Sequence, residues 1–287
     1  ILKRIGDKIQ EYVDKGYVRK LSESEVKELG NNVWYLPVFG VIHPKKPDKL
    51  RMVFDGAAKV KSVSLNSMLL IGPDELASLI DILRRFREKL FGVGGDIKEM
   101  CHQVKIIRKD QSFQLFLFRN GETNRKPDVY IIEVMTFGSK CSPAAAQFVK
   151  NTNAKQYEKT NPRAVESIII NHYVDDMMDG ENTIEDTIKM VEDVKRIHEN
   201  GGFEIRNFIS NSPEVLKAIG CTEGQENKEL SLNSELKTER VLGMWWNTKL
   251  DSFTFSLKYT AIAEPILNGT KLPTKRELLQ TLMSIFD

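Results

Sequence analysis

Two neighbouring carboxylates follow an apolar run in this sequence. Residues 168–174 read Ile-Ile-Ile-Asn-His-Tyr-Val, and Asp175 and Asp176 come directly after them. A buried charge costs several kcal/mol unless it is paired or bound to a metal, so such a local conflict is expected at a functional site. Successive strand residues point to opposite faces, and therefore only a hairpin turn could bring both carboxylates to one site. We then expect Asp175 to be the nearer metal ligand and Asp176 the less direct one; the alternative is an acidic hairpin tip in solvent.

A third carboxylate, Asp96, ends a second short apolar strand at residues 91–96. Strand-end carboxylates from distant parts of a chain can form a hard oxygen site for Mg²⁺. Two such ions ~3.5–4 Å apart activate an attacking oxygen and stabilise a leaving one in phosphoryl transfer. Because clustered carboxylates repel each other without metal, at least one of their pKa values is predicted to rise.

Two further segments could contact a phosphate or a nucleotide. The turn at residues 45–51 carries Lys45, Lys46, Lys49 and Arg51, and Arg contacts phosphate through two parallel hydrogen bonds whereas Lys supplies a point charge. In residues 136–147, Gly138 permits close backbone approach and the alanines keep one helix face low. The alternatives are a solvated turn and an ordinary helix start.

Composition limits the class of protein. The 287 residues, 41% hydrophobic and 29% charged, fit a globular chain of one large or two modest domains. No apolar run is long enough to span a bilayer and no signal peptide is recognisable, which argues against membrane and secreted classes. Ile1 in place of an initiator methionine, and an end inside a helical pattern, suggest a piece of a longer polypeptide.

Cysteine and charge patterns add two expectations. Cys101, Cys141 and Cys221 are far apart, so neither a disulfide framework nor a zinc site is expected and a reducing compartment fits. Residues 1–120 carry 22 Lys and Arg against 15 Asp and Glu, whereas residues 164–193 carry nine acidic residues and one lysine. A basic half beside an acidic patch is typical of a metal enzyme that handles a polyanion. On charge alone, solvated helix faces are the better interpretation.

The pattern of elements predicts an α+β fold with a largely antiparallel sheet, because strands and helices do not alternate strictly. Asp74 is predicted to cap a helix through Phe86, and Ser142 and Pro143 to open another as N-cap and first residue. Thr274 is predicted to cap the last helix. The other predicted helices cover residues 1–15 and 184–200, and the predicted strands cover residues 34–42, 50–55, 91–96, 113–119, 130–136, 167–174, 203–209, 241–246 and 253–257.

Taken in order, these segments resemble reverse transcriptases. Residues 173–176, Tyr-Val-Asp-Asp, look like the YxDD catalytic motif, and Asp96 falls where the first catalytic aspartate of that family lies. The resemblance extends over residues 33–287 and includes the fingers residues Arg51 with Lys45 or Lys46, the G-x-x-x-S-P motif at 138–143, and the "LG" primer-grip hairpin at 242–246. Five segments are similar in sequence to the BEL/Pao class of LTR retrotransposons, namely residues 51–59, 72–74, 96–100, 137–147 and 273–277.

The resemblance implies a right-hand polymerase with an antiparallel palm sheet. Fingers are expected at 1–90 with a return at about 105–135, the palm at 91–245, and the start of the thumb or connection at 246–287. The implied function is RNA-directed DNA polymerase, which adds dNTPs to a primer 3′-OH on an RNA or DNA template, with two Mg²⁺ ions or Mn²⁺ in their place. No membrane partner is implied. Protease, RNase H and integrase domains are expected outside this chain, and the location is cytoplasmic, in a retroelement particle, with a later nuclear stage.

The resemblance also assigns site residues. Asp96, Asp175 and Asp176 are the implied catalytic residues, and the same three with Ile97 hold the metal. The nucleotide is assigned to Lys45, Lys46, Arg51, Cys101, Phe137 and Gly138. Template and primer are assigned to Tyr173, Ser142, Pro143, Gln147, Leu242, Gly243 and Met244.

Two positions depart from the family pattern. Cys101 stands where reverse transcriptases usually carry an aromatic residue that blocks a ribose 2′-OH, so we expect weaker discrimination against ribonucleotides; the other interpretation is a small buried hydrophobe. Phe137 stands where many relatives have Gln, although BEL/Pao-like sequences use Phe. The alternative functions are an inactive retroelement remnant that binds nucleic acid or a protein partner without catalysis and, third, a two-metal nuclease.

Overall fold

The structure is a computed structural model that describes residues 1–43, 46–221, 238–241, 244–254 and 264–283. Ten α-helices and two 3₁₀ helices (Met100–Gln103 and Arg108–Phe113) lie in these ranges. None of the described helices combines the length and the apolar character that a bilayer crossing needs. The α-helices are α1 (Leu2–Asp14), α2 (Glu23–Glu28), α3 (Leu65–Met68), α4 (Leu79–Phe86), α5 (Ser142–Lys155), α6 (Pro162–Ile170), α7 (Ile184–Asn200), α8 (Pro213–Ala218), α9 (Glu264–Leu267) and α10 (Lys275–Met283).

Twelve strands lie in the same ranges and form antiparallel sheets, which confirms the predicted fold class. They are β1 (Val18–Lys20), β2 (Val38–His43), β3 (Lys46–Phe54), β4 (Phe91–Ile97), β5 (Leu115–Phe118), β6 (Asp128–Ile132), β7 (His172–Tyr173), β8 (Asp176–Glu181), β9 (Ile205–Ser210), β10 (Thr238–Val241), β11 (Met244–Asn247) and β12 (Ser252–Thr254).

The central sheet has the strand order β7-β8-β4-β9. One face is covered by α6 and α7, whose apolar side chains form a core with the sheet. Helix α7 keeps its predicted bounds, and Val191, Val194 and Ile197 are fully buried in that core. This layer positions the end of β4 and the β7–β8 hairpin.

A second region is formed by the β2–β3 hairpin, the β1-β6-β5 sheet and α1. The predicted hairpin is confirmed, with Val38 opposite Phe54 and Val41 opposite Arg51. Ile9 and Tyr12 of α1 are buried against it, whereas Leu2 is exposed.

A third sheet, β10-β11-β12, lies next to α4. The Trp246 ring meets the Phe86 ring edge to face, with centroids 4.8 Å apart. The Trp246 side chain is fully buried, and its indole nitrogen donates to Asp251 Oδ1 over 3.0 Å. Trp246 and Phe86 cluster with Met178 of β8, and this cluster joins the third sheet to the central one.

The predicted strand over residues 167–174 is wrong. These residues form the second half of α6 and the two-residue strand β7. Pro162 fits the first turn of a helix, where its missing N–H is not needed. Val165 and Ile168 then fall on one helix face and are buried in the central core. A short run of β-branched residues is therefore compatible with a helix as well as with a strand.

Two predicted helix caps are also wrong, although α5 begins at Ser142 as expected. Helix α4 begins at Leu79 with Ser78 as its cap, while the Asp74 carboxylate accepts a hydrogen bond from the Leu76 N–H in a local turn. In α5, Ser142 is already helical and donates its hydroxyl to the Thr136 carbonyl oxygen over 2.7 Å instead of capping. The predicted cap at Thr274 is confirmed, since its hydroxyl accepts from the Glu277 N–H.

Candidate active site

Asp96 and Asp176 lie directly opposite each other in the β4–β8 ladder. Residues opposite each other in an antiparallel pair lie on one sheet face, with Cβ atoms about 4.5–5.5 Å apart. The structure thus brings together two carboxylates that are far apart in sequence, as predicted. Like charges in this arrangement are destabilising, so the pairing needs a reason other than stability.

Asp175 lies in the turn that joins β7 to β8. Tyr173 pairs with Asp176, so Val174 and Asp175 form a two-residue loop. The Asp175 carbonyl oxygen accepts a hydrogen bond from the Ile97 N–H over 2.8 Å. This bond fixes the turn to the end of β4 and places all three aspartates at one end of the sheet, which confirms the predicted hairpin.

The turn has a strained backbone at Val174, whose φ is +57°. Such a conformation is rare for a β-branched residue and costs roughly 1–3 kcal/mol. It persists only where the surroundings fix it. Gln147 of α5 donates its amide to the Val174 carbonyl oxygen over 3.2 Å, and the Val174 side chain packs against the cluster around Ile97 and Met100.

The electrostatics of the site leave charge uncompensated. Burial raises the pKa of Asp175, and the charge of Asp96 adds to the effect. Burial, followed by the charges of Asp175 and Asp96, raises the pKa of Asp176 to about 6. The pKa values rise as predicted, but burial contributes more to the rise than the repulsion on which the prediction rested. In the part of the chain that the structure describes, neither Asp175 nor Asp176 forms an ion pair.

Two residues of β9 contact the Asp96 carboxylate and were missed by the sequence analysis. Arg206 lies opposite Asp96 in the ladder, and its Nε lies 3.4 Å from Asp96 Oδ2. The Asn207 amide donates to Asp96 Oδ1. No local pattern indicates these contacts, because they depend on the register between β4 and β9.

The donor set fits a divalent cation, since carboxylate oxygens are the ligands that such ions prefer. Within the described ranges, however, no three His, Cys, Asp or Glu side chains converge closely enough to form a metal centre by themselves. Asp96 is instead turned to Arg206 and Asn207. The implied role of Ile97 stays a prediction; its side chain is buried and its N–H is used by Asp175.

Of the residues predicted to contact the triphosphate, Arg51 is exposed on β3. Lys46 begins that strand, and its side chain is outside what the structure describes. Lys45 lies outside the described residues. The triphosphate contact stays a prediction for all three.

Gly138 lies where the segment after β6 meets the end of β3. Its φ is +120°, and a Cβ there would lie 2.6 Å from the Phe54 carbonyl oxygen, so only glycine fits. The Asn66 amide donates to the Gly138 carbonyl oxygen over 2.7 Å, and its Oδ1 accepts from the Lys140 N–H. Asn66 of α3, which the sequence analysis also missed, thus ties that helix to the segment that precedes α5. Phe137 beside it is 54% exposed.

Cys101 is 4% exposed and packs in the cluster of Ile97, Met100 and Met135. Burial, with the Asp175 charge adding to it, raises the pKa of its thiol to about 11. The interpretation of Cys101 as a small buried hydrophobe describes this packing. A contact with the nucleotide sugar stays a prediction.

The residues assigned to template and primer lie in different places. Ser142 and Pro143 begin α5, while Gln147 is 2% exposed and donates to the backbone of the turn that carries Asp175. Tyr173 is half-buried beside Phe86 and Trp246. Met244 begins β11, and Leu242 and Gly243 lie outside the described residues.

A family model described as reverse transcriptase (RNA-dependent DNA polymerase) matches residues 43–207, more than half of the chain. The chain therefore belongs to the reverse transcriptase family, whose members use divalent metal ions. No curated protein matches it.

Two similar solved structures are of foamy viral protease-reverse transcriptase. The complex with RNA/DNA hybrid is 15% identical, with a TM-score of 0.59 over 98% of this chain and 30% of that chain. The dRH form in complex with double-stranded DNA is 17% identical, with a TM-score of 0.58 over 98% of this chain and 39% of that chain. The chain thus spans well under half of either solved chain, and the likeness establishes the fold.

Proposed function

We propose that this domain is an RNA-directed DNA polymerase of a BEL/Pao-type LTR retrotransposon, which adds deoxynucleotides to a primer 3′-OH. The observation that carries the proposal is the meeting of Asp96, Asp175 and Asp176 at one end of the central sheet. Burial and the neighbouring carboxylates raise the pKa values of Asp175 and Asp176, and among the described residues no cation forms an ion pair with either of them. A polymerase site needs such charge, whereas a structural acid cluster does not.

The three aspartates would hold the metal together with Ile97, and Mg²⁺ is the ion we propose, with Mn²⁺ as a substitute. Bound ions of this kind facilitate attack by the 3′-OH and neutralise the leaving pyrophosphate. The chain itself supplies position. The strained turn is held by Gln147 and Ile97, which fixes Asp175 relative to Asp96 before substrate arrives.

Nucleic acid is the proposed partner. The two foamy viral relatives were solved with RNA/DNA hybrid and with double-stranded DNA. The excess of Lys and Arg in residues 1–120 would attract the phosphate backbone, and exposed Arg51 would contact the incoming triphosphate. The proposed nucleotide site also includes Lys45, Lys46, Phe137 and Gly138. The proposed primer grip consists of Leu242, Gly243 and Met244.

We further propose the domain layout and context that the family implies. Fingers occupy residues 1–90 with a return at about 105–135, the palm 91–245 and the start of the thumb 246–287. Protease, RNase H and integrase domains would belong to the same polyprotein. The protein would act in cytoplasmic retroelement particles and later in the nucleus.

The test is incorporation of dNTPs on a primed RNA template with Mg²⁺, and Asp175→Asn is the matched loss-of-charge control. We expect primer extension by the natural chain and a loss of about 10³-fold or more in the variant, since metal-bound charge contributes several kcal/mol to the transition state. Nucleic-acid binding without extension, with either Mg²⁺ or Mn²⁺, would identify the inactive remnant. Degradation of the primer in the absence of dNTPs would identify a nuclease.

Cys101 supplies a second, narrower test. We expect ribonucleotides to be incorporated more readily than by enzymes with a bulky side chain there. Replacing Cys101 with Tyr should lower rNTP incorporation more than dNTP incorporation in the same primer-extension assay. Strong rejection of rNTPs by the natural chain would show that another residue excludes the 2′-OH.

A further inference from the structure

The carboxyl end of α6 leads directly into the β7–β8 hairpin that carries Asp175, here called the catalytic hairpin. Asn171 is the one residue between α6 and β7. The last carbonyl groups of a helix lack partners within the helix and must find them elsewhere. In the last turn of α6 the carbonyl groups of Ser167, Ile168 and Ile170 each contact a nitrogen of a side chain, and the Ser167 oxygen also accepts from the Asn171 N–H over 3.0 Å. We refer to the three side chains, Arg85, Lys150 and His172, as the α6 carbonyl cap.

Lys150 of α5 is the most costly member of the α6 carbonyl cap. Its side chain is 1% exposed, and its Nζ donates to the Ile168 carbonyl oxygen over 2.8 Å. Burial lowers its pKa to about 7. A methionine would fill a similar volume without the expense of desolvating an amine, so packing alone does not explain a lysine here. The hydrogen bond from the Lys150 amine to the carbonyl end of α6 does explain it, because a positive group is favourable at the carboxyl end of a helix.

Arg85 of α4 reaches the same helix end from the other side. It donates to the Ile170 carbonyl oxygen, and its Nε donates to Asn171 Oδ1 over 2.7 Å. The Asn171 carbonyl oxygen in turn accepts from the Met178 N–H of β8 over 2.9 Å. Arg85 therefore holds the residue that closes the base of the catalytic hairpin.

His172 completes the α6 carbonyl cap and determines which nitrogen of His198 carries a proton. Its Nδ1 lies 2.9 Å from the Ser167 carbonyl oxygen, which only accepts, so Nδ1 carries the proton. Its Nε2 lies 3.2 Å from His198 Nε2. Burial, with the charge of Lys150 adding to it, lowers the pKa of both rings, that of His198 to about 3. In this neutral pair His198 Nε2 must donate to His172 Nε2, which leaves one arrangement of protons.

We propose that Lys150 and Arg85 are positioning residues for polymerisation, which act by holding the carbonyl end of α6 and so the strained turn that carries Asp175. The consequence for catalysis rests on the proposed function; the restraint on the turn does not. The turn stores strain at Val174 and needs fixed ends, because a backbone of this kind relaxes when its surroundings loosen.

The experiment compares Lys150→Met and Arg85→Met with matched exposed controls on the same helices, Lys155→Met on α5 and Arg84→Met on α4. Arg85→Lys is the conservative variant. Amide hydrogen exchange is measured on peptides from residues 168–178 and from residues 115–132, which lie in the β1-β6-β5 sheet. Single-nucleotide incorporation on a primed RNA template gives kcat and the KM for dNTP.

In both cap variants we expect exchange in 168–178 to be about tenfold faster or more, with 115–132 unchanged. We expect kcat to fall about 10- to 100-fold, the size of effect that a small displacement of catalytic groups has, while the KM for dNTP stays near that of the natural chain. Arg85→Lys should recover part of kcat, and the controls should behave as the natural chain.

Three outcomes would overturn the inference. They are exchange in 168–178 equal to the controls, exchange that rises equally in both segments, and faster local exchange with an unchanged kcat. If Lys150→Met does not fold, Arg85→Met decides alone. If the natural chain incorporates no nucleotide, the proposed function has failed, and exchange still decides whether the cap restrains the turn.

Discussion

Strand β8 carries two aspartates, three positions apart, in opposite environments. Asp179 is 3% exposed, and Arg163 of α6 grips its carboxylate with two bonds of 2.7 and 2.8 Å, while the Gly180 N–H donates a third. Asp176 is partly buried beside Asp175 and opposite Asp96. The first carboxylate is fully compensated, and the second lies among like charges.

The difference separates a structural acid from a functional one. Burial by itself lowers the pKa of Arg163, but its bonds to Asp179 and Glu181 outweigh this and raise it, so Arg163 keeps its positive charge beside Asp179. Burial and neighbouring charge instead raise the pKa of Asp176 to about 6. A protein tolerates the second arrangement where the charge is needed for chemistry.

The largest expected effect contrasts the activities of two variants. Asp176→Asn should lower the rate of dNTP incorporation by about 10²-fold or more, because it removes charge from the site that would bind metal. Asp179→Asn, corrected for its folded fraction, should incorporate at nearly the natural rate. Single-turnover primer extension measures both. Equal losses in the two variants would show that the aspartates are not functionally distinct.

The contrast reverses for stability. Asp179→Asn should lower the free energy of unfolding by about 3 kcal/mol, the lower end of the range for a broken buried pair, because Glu181 still partners Arg163. Asp176→Asn should leave the metal-free protein as stable or slightly more so, since it relieves repulsion. Urea unfolding at pH 7 measures both. A larger loss for Asp176→Asn would mean that its carboxylate has a partner.

The sequence predicted the site better than its surroundings. The apolar runs that end in Asp96 and in Asp175 and Asp176 are local patterns, and the carboxylates meet as expected. The same sequence grouped nine acidic residues of 164–193 into one patch. Asp179 differs from Asp176 because Arg163 of α6 pairs with it. This helix was not predicted, since residues 167–174 were expected to form a strand.

Contacts that depend on register were beyond local patterns. Arg206 meets Asp96 because β9 pairs with β4 across 110 residues of sequence. Asn66 of α3 meets Gly138 across 72 residues of sequence. Neither residue stands in a motif, and an arginine or asparagine on an exposed segment has no distinctive spacing.

The third prediction concerns pH. Because the pKa of Asp176 is raised in the folded state, the folded protein binds more protons than the unfolded chain between about pH 4 and 6. The free energy of unfolding of the metal-free protein should therefore fall as pH rises through this window, by about 1 kcal/mol once solvent screening is allowed for. Asp176→Asn should flatten that slope. Urea midpoints at several pH values in EDTA measure it, and an unchanged slope in the variant would assign the effect to other groups.

The last prediction concerns the response of the melting temperature to metal. At a Mg²⁺ concentration ten times its Kd, binding to the folded state alone would add about 1.4 kcal/mol, or roughly 2–4 °C for a chain of this size. Asp179→Asn should have a lower melting temperature but the same increase with Mg²⁺, because Asp179 lies outside the group of Asp96, Asp175 and Asp176. Asp175→Asn should melt near the natural temperature in EDTA and lose the shift. An equal shift in Asp175→Asn would place the bound ion away from the catalytic turn, and the distinction between the two aspartates of β8 would then have to rest on repulsion alone.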